Sequence, residues 1–140
     1  MRTVKYPAES GYSVPVPGGA LAPCVLVSLG HRGRSCRTIG LVDSGADTSF
    51  FSADLAQALG FDLSREVPAE VGGVGGAVSG YRLPVVLATC GARFQATVFF
   101  CKGWTLPFGL LGRGDFFRQF DVGFDERGST FLYRHLPPPP

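Results

Sequence analysis

The chain has 140 residues and a net charge of +2, from 13 Lys and Arg against 11 Asp and Glu, which is enough for one hydrophobic core and one domain. With 45% apolar and only 17% charged residues it is too hydrophobic to stay disordered, and its charges are interspersed rather than gathered into a phosphate-tracking stripe. No apolar run approaches a membrane span, and the first 17 residues lack the apolar stretch of a secretory signal. A cytoplasmic protein without nucleic-acid or membrane partners is expected. The 20 Gly and 12 Phe favour a mainly β domain rich in turns.

Residues 1–23 hold Pro7, Pro15, Pro17, Gly18, Gly19 and Pro23, a composition that predicts a flexible N-terminal arm or an irregular edge strand. The domain proper is expected over 24–135. Val25 to Leu29 and Thr38 to Val42 read as a hairpin whose tip is the basic turn His31 to Arg37. By itself this Gly-punctuated cluster reads as an exposed tip rather than a binding patch.

Between Phe51 and Phe61 the period changes. Ser52 can cap a short helix, Leu55, Ala58 and Leu59 recur at helical spacing, and Gly60 can terminate it. Val71 to Gly80 is too glycine-rich for a core element and predicts a pliable loop. Tyr81 to Thr89 and Arg93 to Cys101 then form a second hairpin around Gly91 and Ala92. Farther on, Phe108 to Gly112 predicts a short apolar strand, and Asp115 caps a helix of one or two turns through Phe120. Asp121 to Asp125 and Thr130 to Tyr133 pair around Glu126 to Ser129. The Pro-rich tail, 136–140, lies outside the domain.

Chemistry concentrates in Leu41-Val42-Asp43-Ser44-Gly45-Ala46-Asp47. Here a carboxylate follows directly on a hydrophobic β-run, where burial penalises it unless it is hydrogen-bonded or held for use. Alone, Asp-Ser-Gly is an ordinary Asx-type turn. A second signal lies downstream: Leu110-Leu111-Gly112, then Arg113 and Asp115 opening a helix.

With these two motifs in this order, residues 24 to 134 resemble the retropepsin-like aspartic proteases. The resemblance implies a single acid-protease lobe, mainly β, closed and barrel-like, with one or two short helices. It implies peptide hydrolysis by two carboxyls sharing one proton, one activating water and the other protonating the amide carbonyl, with activity favoured at acidic pH. Only one Asp-Ser-Gly is present, so both acids would be Asp43 in a symmetric homodimer. Ser44 would lock the two loops across the axis, and Gly45 would admit close backbone approach. Ala46 would line the cleft, and Asp47 would hold substrate backbone amides while facing Arg113 near the interface formed with Leu111 and Gly112. Gly114 separates Arg113 from Asp115, where many relatives run from Arg directly to the acid.

Gly72 to Gly80 would be the flap, with Gly73, Val74, Gly75, Gly76, Ala77 and Val78 against an extended peptide or protein substrate. The glycines satisfy neither the P-loop nor the dinucleotide pattern. His31 and His135 are poorly placed for a nucleophile relay or for zinc, and Cys24, Cys36, Cys90 and Cys101 contain no C-x-x-C pair, so neither metal nor cofactor is expected. The rival expectation is a non-catalytic dimerisation or peptide-binding module that keeps Asp-Ser-Gly without forming a competent cleft.

Overall fold

Hydrophobic alternation and tight turns build the chain from hairpins, and the computed structural model describes residues 1–73 and 75–138. The first strand, β1 (Ala8–Gly11), lies within the N-terminal Pro-rich segment. Strands β2 (Cys24–His31) and β3 (Arg34–Val42) pair antiparallel from Cys24↔Leu41 to His31↔Arg34. Their turn is Arg32-Gly33, with φ of 46° and 79°, the double positive φ that matches the twist of paired strands.

Strand β4 (Phe50–Ser52) leads directly into α1 (Ala53–Ala58). The Ser52 side chain accepts the Asp54 N–H at 3.2 Å, as the N-cap pattern predicts. Ala56 and Leu59 turn inward and are buried. A single 3-10 turn at Leu63–Arg65 follows.

The glycine-rich segment differs from the loop expected of it. β5 (Ala69–Gly73) pairs with the start of β6 (Gly76–Thr89), from Ala69↔Gly80 to Gly73↔Gly76. Backbone hydrogen bonds require no side chain, so glycines that cannot build a core can still extend a two-stranded ribbon into solvent. Val74 lies outside the described residues, as do the last two prolines of the tail.

β6 continues into the barrel and pairs with β7 (Ala92–Cys101) from Gly80↔Cys101 to Thr89↔Ala92. The turn is Cys90-Gly91, both with positive φ (51° and 74°), one residue earlier than the Gly91-Ala92 pair read from sequence. β8 (Gly109–Leu111) and α2 (Phe116–Gln119), capped by Asp115, come next. β9 (Phe120–Asp125) and β10 (Thr130–His135) form the last hairpin.

The main sheet runs β2-β3-β8-β4-β7-β6-β5, and an added β2–β6 pairing closes its first six strands into a barrel. A second sheet, β1-β10-β9, contributes Phe120 and Phe131 to the same buried cluster. Leu29, Phe51, Leu87, Phe100, Leu111, Phe116 and Phe131 are fully buried between them. β8 bridges β3 and β4: it runs parallel to β3, with Val42↔Leu111, and meets β4 antiparallel at Phe50↔Leu110. Residues 42–43 are thereby set beside residues 111–112. Among the described residues no helix is long and apolar enough to cross a membrane.

Candidate active site

Asp43 is the first residue after β3, and three short bonds hold its loop. Its N–H donates to the Leu111 carbonyl at 3.0 Å, its own carbonyl accepts the Ala46 N–H at 3.2 Å, and its carboxylate Oδ1 accepts the Gly45 N–H at 2.9 Å. A Cβ on residue 45 would stand 3.2 Å from that Oδ1, close enough that a larger residue would require the carboxylate to shift slightly. Asp43 is half-buried, and Ser44 and Gly45 are exposed.

The neighbouring acids are already engaged. Asp47 is exposed and pairs with the Arg113 guanidinium, the partner suggested for it by its position. Gly114, the extra residue, fits by donating its N–H to the Asp47 carbonyl at 2.7 Å, while the Arg113 N–H donates to the Ala46 carbonyl at 2.9 Å. A Cβ at residue 114 would sit 2.8 Å from the Asp47 carbonyl oxygen. The two motif loops are therefore tied backbone to backbone. Leu111 is fully buried, and any side chain at Gly112 would collide with the Thr48 carbonyl.

Asp115 does more than cap α2. Its buried carboxylate accepts from the Ser49 hydroxyl, from the Ser49 N–H at 3.1 Å, from the Thr48 hydroxyl at 3.4 Å and from the Phe116 N–H at 2.6 Å. Ser49 in turn accepts the Gly112 N–H at 3.0 Å. Neither Ser49 nor Thr48 was singled out from sequence. The available signal was a serine among Phe50, Phe51 and Val42, a polar residue in a stretch that has to be buried.

Of the carboxylates in these two motifs, Asp115 is buried among four donors and Asp47 is paired with a guanidinium, whereas Asp43 accepts one backbone N–H and has no cationic partner among the described residues. Ala46, expected to line a cleft, is buried, at 8% exposure. A cavity of about 300 Å³ lies against the β5–β6 ribbon, and neither Asp43 nor the rest of its loop lines it. Its apolar walls include Val71, Ala77 and Val78 from the ribbon and Phe50, Trp104 and Leu110 from below; Gly73, Gly75 and Gly76 also border it. Phe50 and Trp104 stack with planes 4° apart, and the Trp104 ring N–H donates to the Phe108 carbonyl at 2.9 Å. Among the described residues no three His, Cys, Asp or Glu side chains are grouped as a metal would require.

A family model described as aspartyl protease matches residues 30–113, a span containing both motif loops as far as Arg113, together with the ribbon. The chain belongs to the aspartyl protease family, and its fold is the single retropepsin-like lobe. A crystal structure of a retropepsin-like aspartic protease from Rickettsia conorii is similar over 95% of this chain and 96% of that one, at 16% identity and a TM-score of 0.58. The EIAV protease, solved in complex with an inhibitor, aligns over 66% of this chain and 82% of its own, at 25% identity and a TM-score of 0.49. No curated protein matches the sequence significantly.

Proposed function

We propose that the chain is an aspartic endopeptidase that works as a homodimer, with Asp43 of each protomer forming the catalytic pair. Family and fold support a protease. The observation that carries the finer reading is the half-buried Asp43 carboxylate, held by its loop and the Gly45 N–H and without the cationic partner that Asp47 has. One such acid per chain suits a reaction that needs two.

In this reading one Asp43 carboxylate takes a proton from water as the water attacks the scissile carbonyl, while the partner's Asp43, in its protonated form, gives its proton to the carbonyl oxygen. Collapse of the tetrahedral species breaks the C–N bond, and the amine leaves with a proton from the pair. Ser44 steadies the two loops across the axis. Asp47, oriented by Arg113, receives substrate backbone amides. The β5–β6 ribbon is the flap, and it excludes water when it closes.

The apolar, aromatic-walled cavity favours an extended peptide or protein substrate with apolar side chains near the scissile bond. The four cysteines are free thiols, which suits a reducing, cytoplasmic address. Digestion of a peptide library at several pH values tests the reading. Asp43→Asn is expected to abolish cleavage and leave a folded dimer; cleavage retained by the purified variant would overturn the assignment.

A further inference from the structure

On the outer wall of the barrel, where β2 closes against β6, three shallow concavities of about 210, 460 and 310 Å³ run together. The first two share Gly30, Arg32 and Val86, and the last two share Ser28 and Ala88. Strand register explains the shape. Arg37↔Ser28, Ser28↔Ala88 and Ala88↔Arg93 make one row across β3, β2, β6 and β7, and directly opposed residues share a face. The floor is therefore small side chains, with an exposed arginine at either end. Three strand spacings separate the roots of Arg37 and Arg93 by about 14 Å, and Arg32 stands at the tip of the β2–β3 hairpin.

Nothing acidic answers these cations. The sequence has no Asp or Glu from Cys24 to Val42 or from Gly76 to Leu111, so the barrel strands around the trough supply none. Among the described residues the salt bridges involve Arg2, Arg65, Arg113 and Arg134, and Arg32, Arg37 and Arg93 stay unpaired. Beside Arg37 the trough includes Leu26, whose side chain is 75% exposed in the midst of this basic surface. Arg93 comes from a strand more than fifty residues downstream of the others (93 − 37 = 56). The basic turn alone therefore shows only part of the surface.

We propose that this trough binds an acidic peptide segment carrying an apolar residue, with carboxylates on Arg37, Arg93 and Arg32 and the apolar side chain against Leu26 and the small floor. Guanidinium groups pair with carboxylates in fixed, two-pronged geometry. The exposed leucine adds what a bare polyanion would not use. Base stacking has no free aromatic here, because the His31 ring is stacked on Phe61 with centroids 3.9 Å apart. Arg37 precedes Asp43, which directly follows the same strand, by six residues (43 − 37 = 6), a separation of about 20 Å at ordinary strand rise. The trough would therefore hold a segment remote from any bond being cut, and it does not depend on the reading of Asp43.

The test is fluorescence anisotropy on the full chain carrying Asp43→Asn, so that no probe is consumed. The probes are a labelled Glu-rich peptide with a central Leu, its Gln counterpart, duplex DNA and phosphatidylserine vesicles. The acidic peptide is expected to bind about tenfold or more tighter than its Gln counterpart, and to weaken with salt. Arg37→Glu with Arg93→Glu is expected to abolish that binding. Arg37→Gln alone, which spares the fold if charge reversal does not, gives a partial loss, and Arg65→Ala leaves binding intact. Equal affinity for the Gln peptide, no change in the arginine variants, or tighter binding of DNA or vesicles than of the acidic peptide would overturn the proposal.

Discussion

Ser49 joins the two motif loops: its hydroxyl donates to the buried Asp115 carboxylate and accepts the Gly112 N–H at 3.0 Å. The bond spans 66 residues of sequence and holds the strand after the Asp43 loop to the start of α2. Removing either partner strands buried polar groups. Ser49→Ala is expected to cost about 1–3 kcal/mol of stability, and Asp115→Ala about 3 kcal/mol, since it orphans several donors at once. Because both act on one network, the double variant should fall well short of the sum. Urea unfolding of the four proteins measures this, and additive losses would show that the two groups act separately.

The Asp47–Arg113 pair should behave in the opposite way. Both side chains are largely exposed, at 86% and 59%, and exposed pairs contribute at most about 1 kcal/mol. Arg113→Lys is expected to leave the melting temperature nearly unchanged but to lower peptidase activity about tenfold or more, because a point charge cannot orient the Asp47 carboxylate as a fork does. Parallel melting and kinetic measurements separate the two effects. Equal losses in both would assign the pair a structural role.

Glycines in the two halves of the site make contrasting predictions. At Gly112 an added methyl meets the Thr48 backbone, whereas at Gly75 it meets nothing within 4 Å. Gly112→Ala should destabilise by about 1–3 kcal/mol or more. Gly75→Ala should leave stability within about 0.5 kcal/mol, and any effect it has should appear in KM, through a stiffer β5–β6 ribbon. Thermal melts alone distinguish the two positions.

Much of this was legible locally. The β2–β3 hairpin, the Ser52 cap and the acid at the end of β3 follow from alternation, side-chain capping and the cost of burying a carboxylate, all of which act within a few residues. What sequence hid is long-range pairing. The parallel β3–β8 contact that seats Leu111 beside Asp43, the Ser49–Asp115 bond, and the arrival of Arg93 next to Ser28 all depend on which strands meet. The glycine ribbon reads as loop from its composition for a related reason, and only the resemblance implies a hairpin there: its strand character comes from pairing with β6, not from its own side chains.

Alkaline pH should weaken the fold. Burial pushes the Cys101 thiol from 9.0 up to about 11, and burial also raises Cys24, Cys36 and Cys90. The unfolded chain then ionises first. Stability is intact below about pH 9 and is lost as pH rises toward 11, where the folded Cys101 itself begins to ionise. Melting temperature against pH checks this: Cys101→Ala should show a shallower alkaline decline from a lower starting point, and an unchanged slope would place the effect on other groups.

The central claim is that one active centre needs Asp43 from two chains. Mixing wild-type protein with rising proportions of Asp43→Asn under conditions of subunit exchange tests it most directly, because a mixed dimer retains only one carboxyl. Activity per total protein is expected to follow the square of the wild-type fraction, falling to about a quarter at equal amounts. A linear decline to about half would mean that each chain catalyses alone, and would contradict the account.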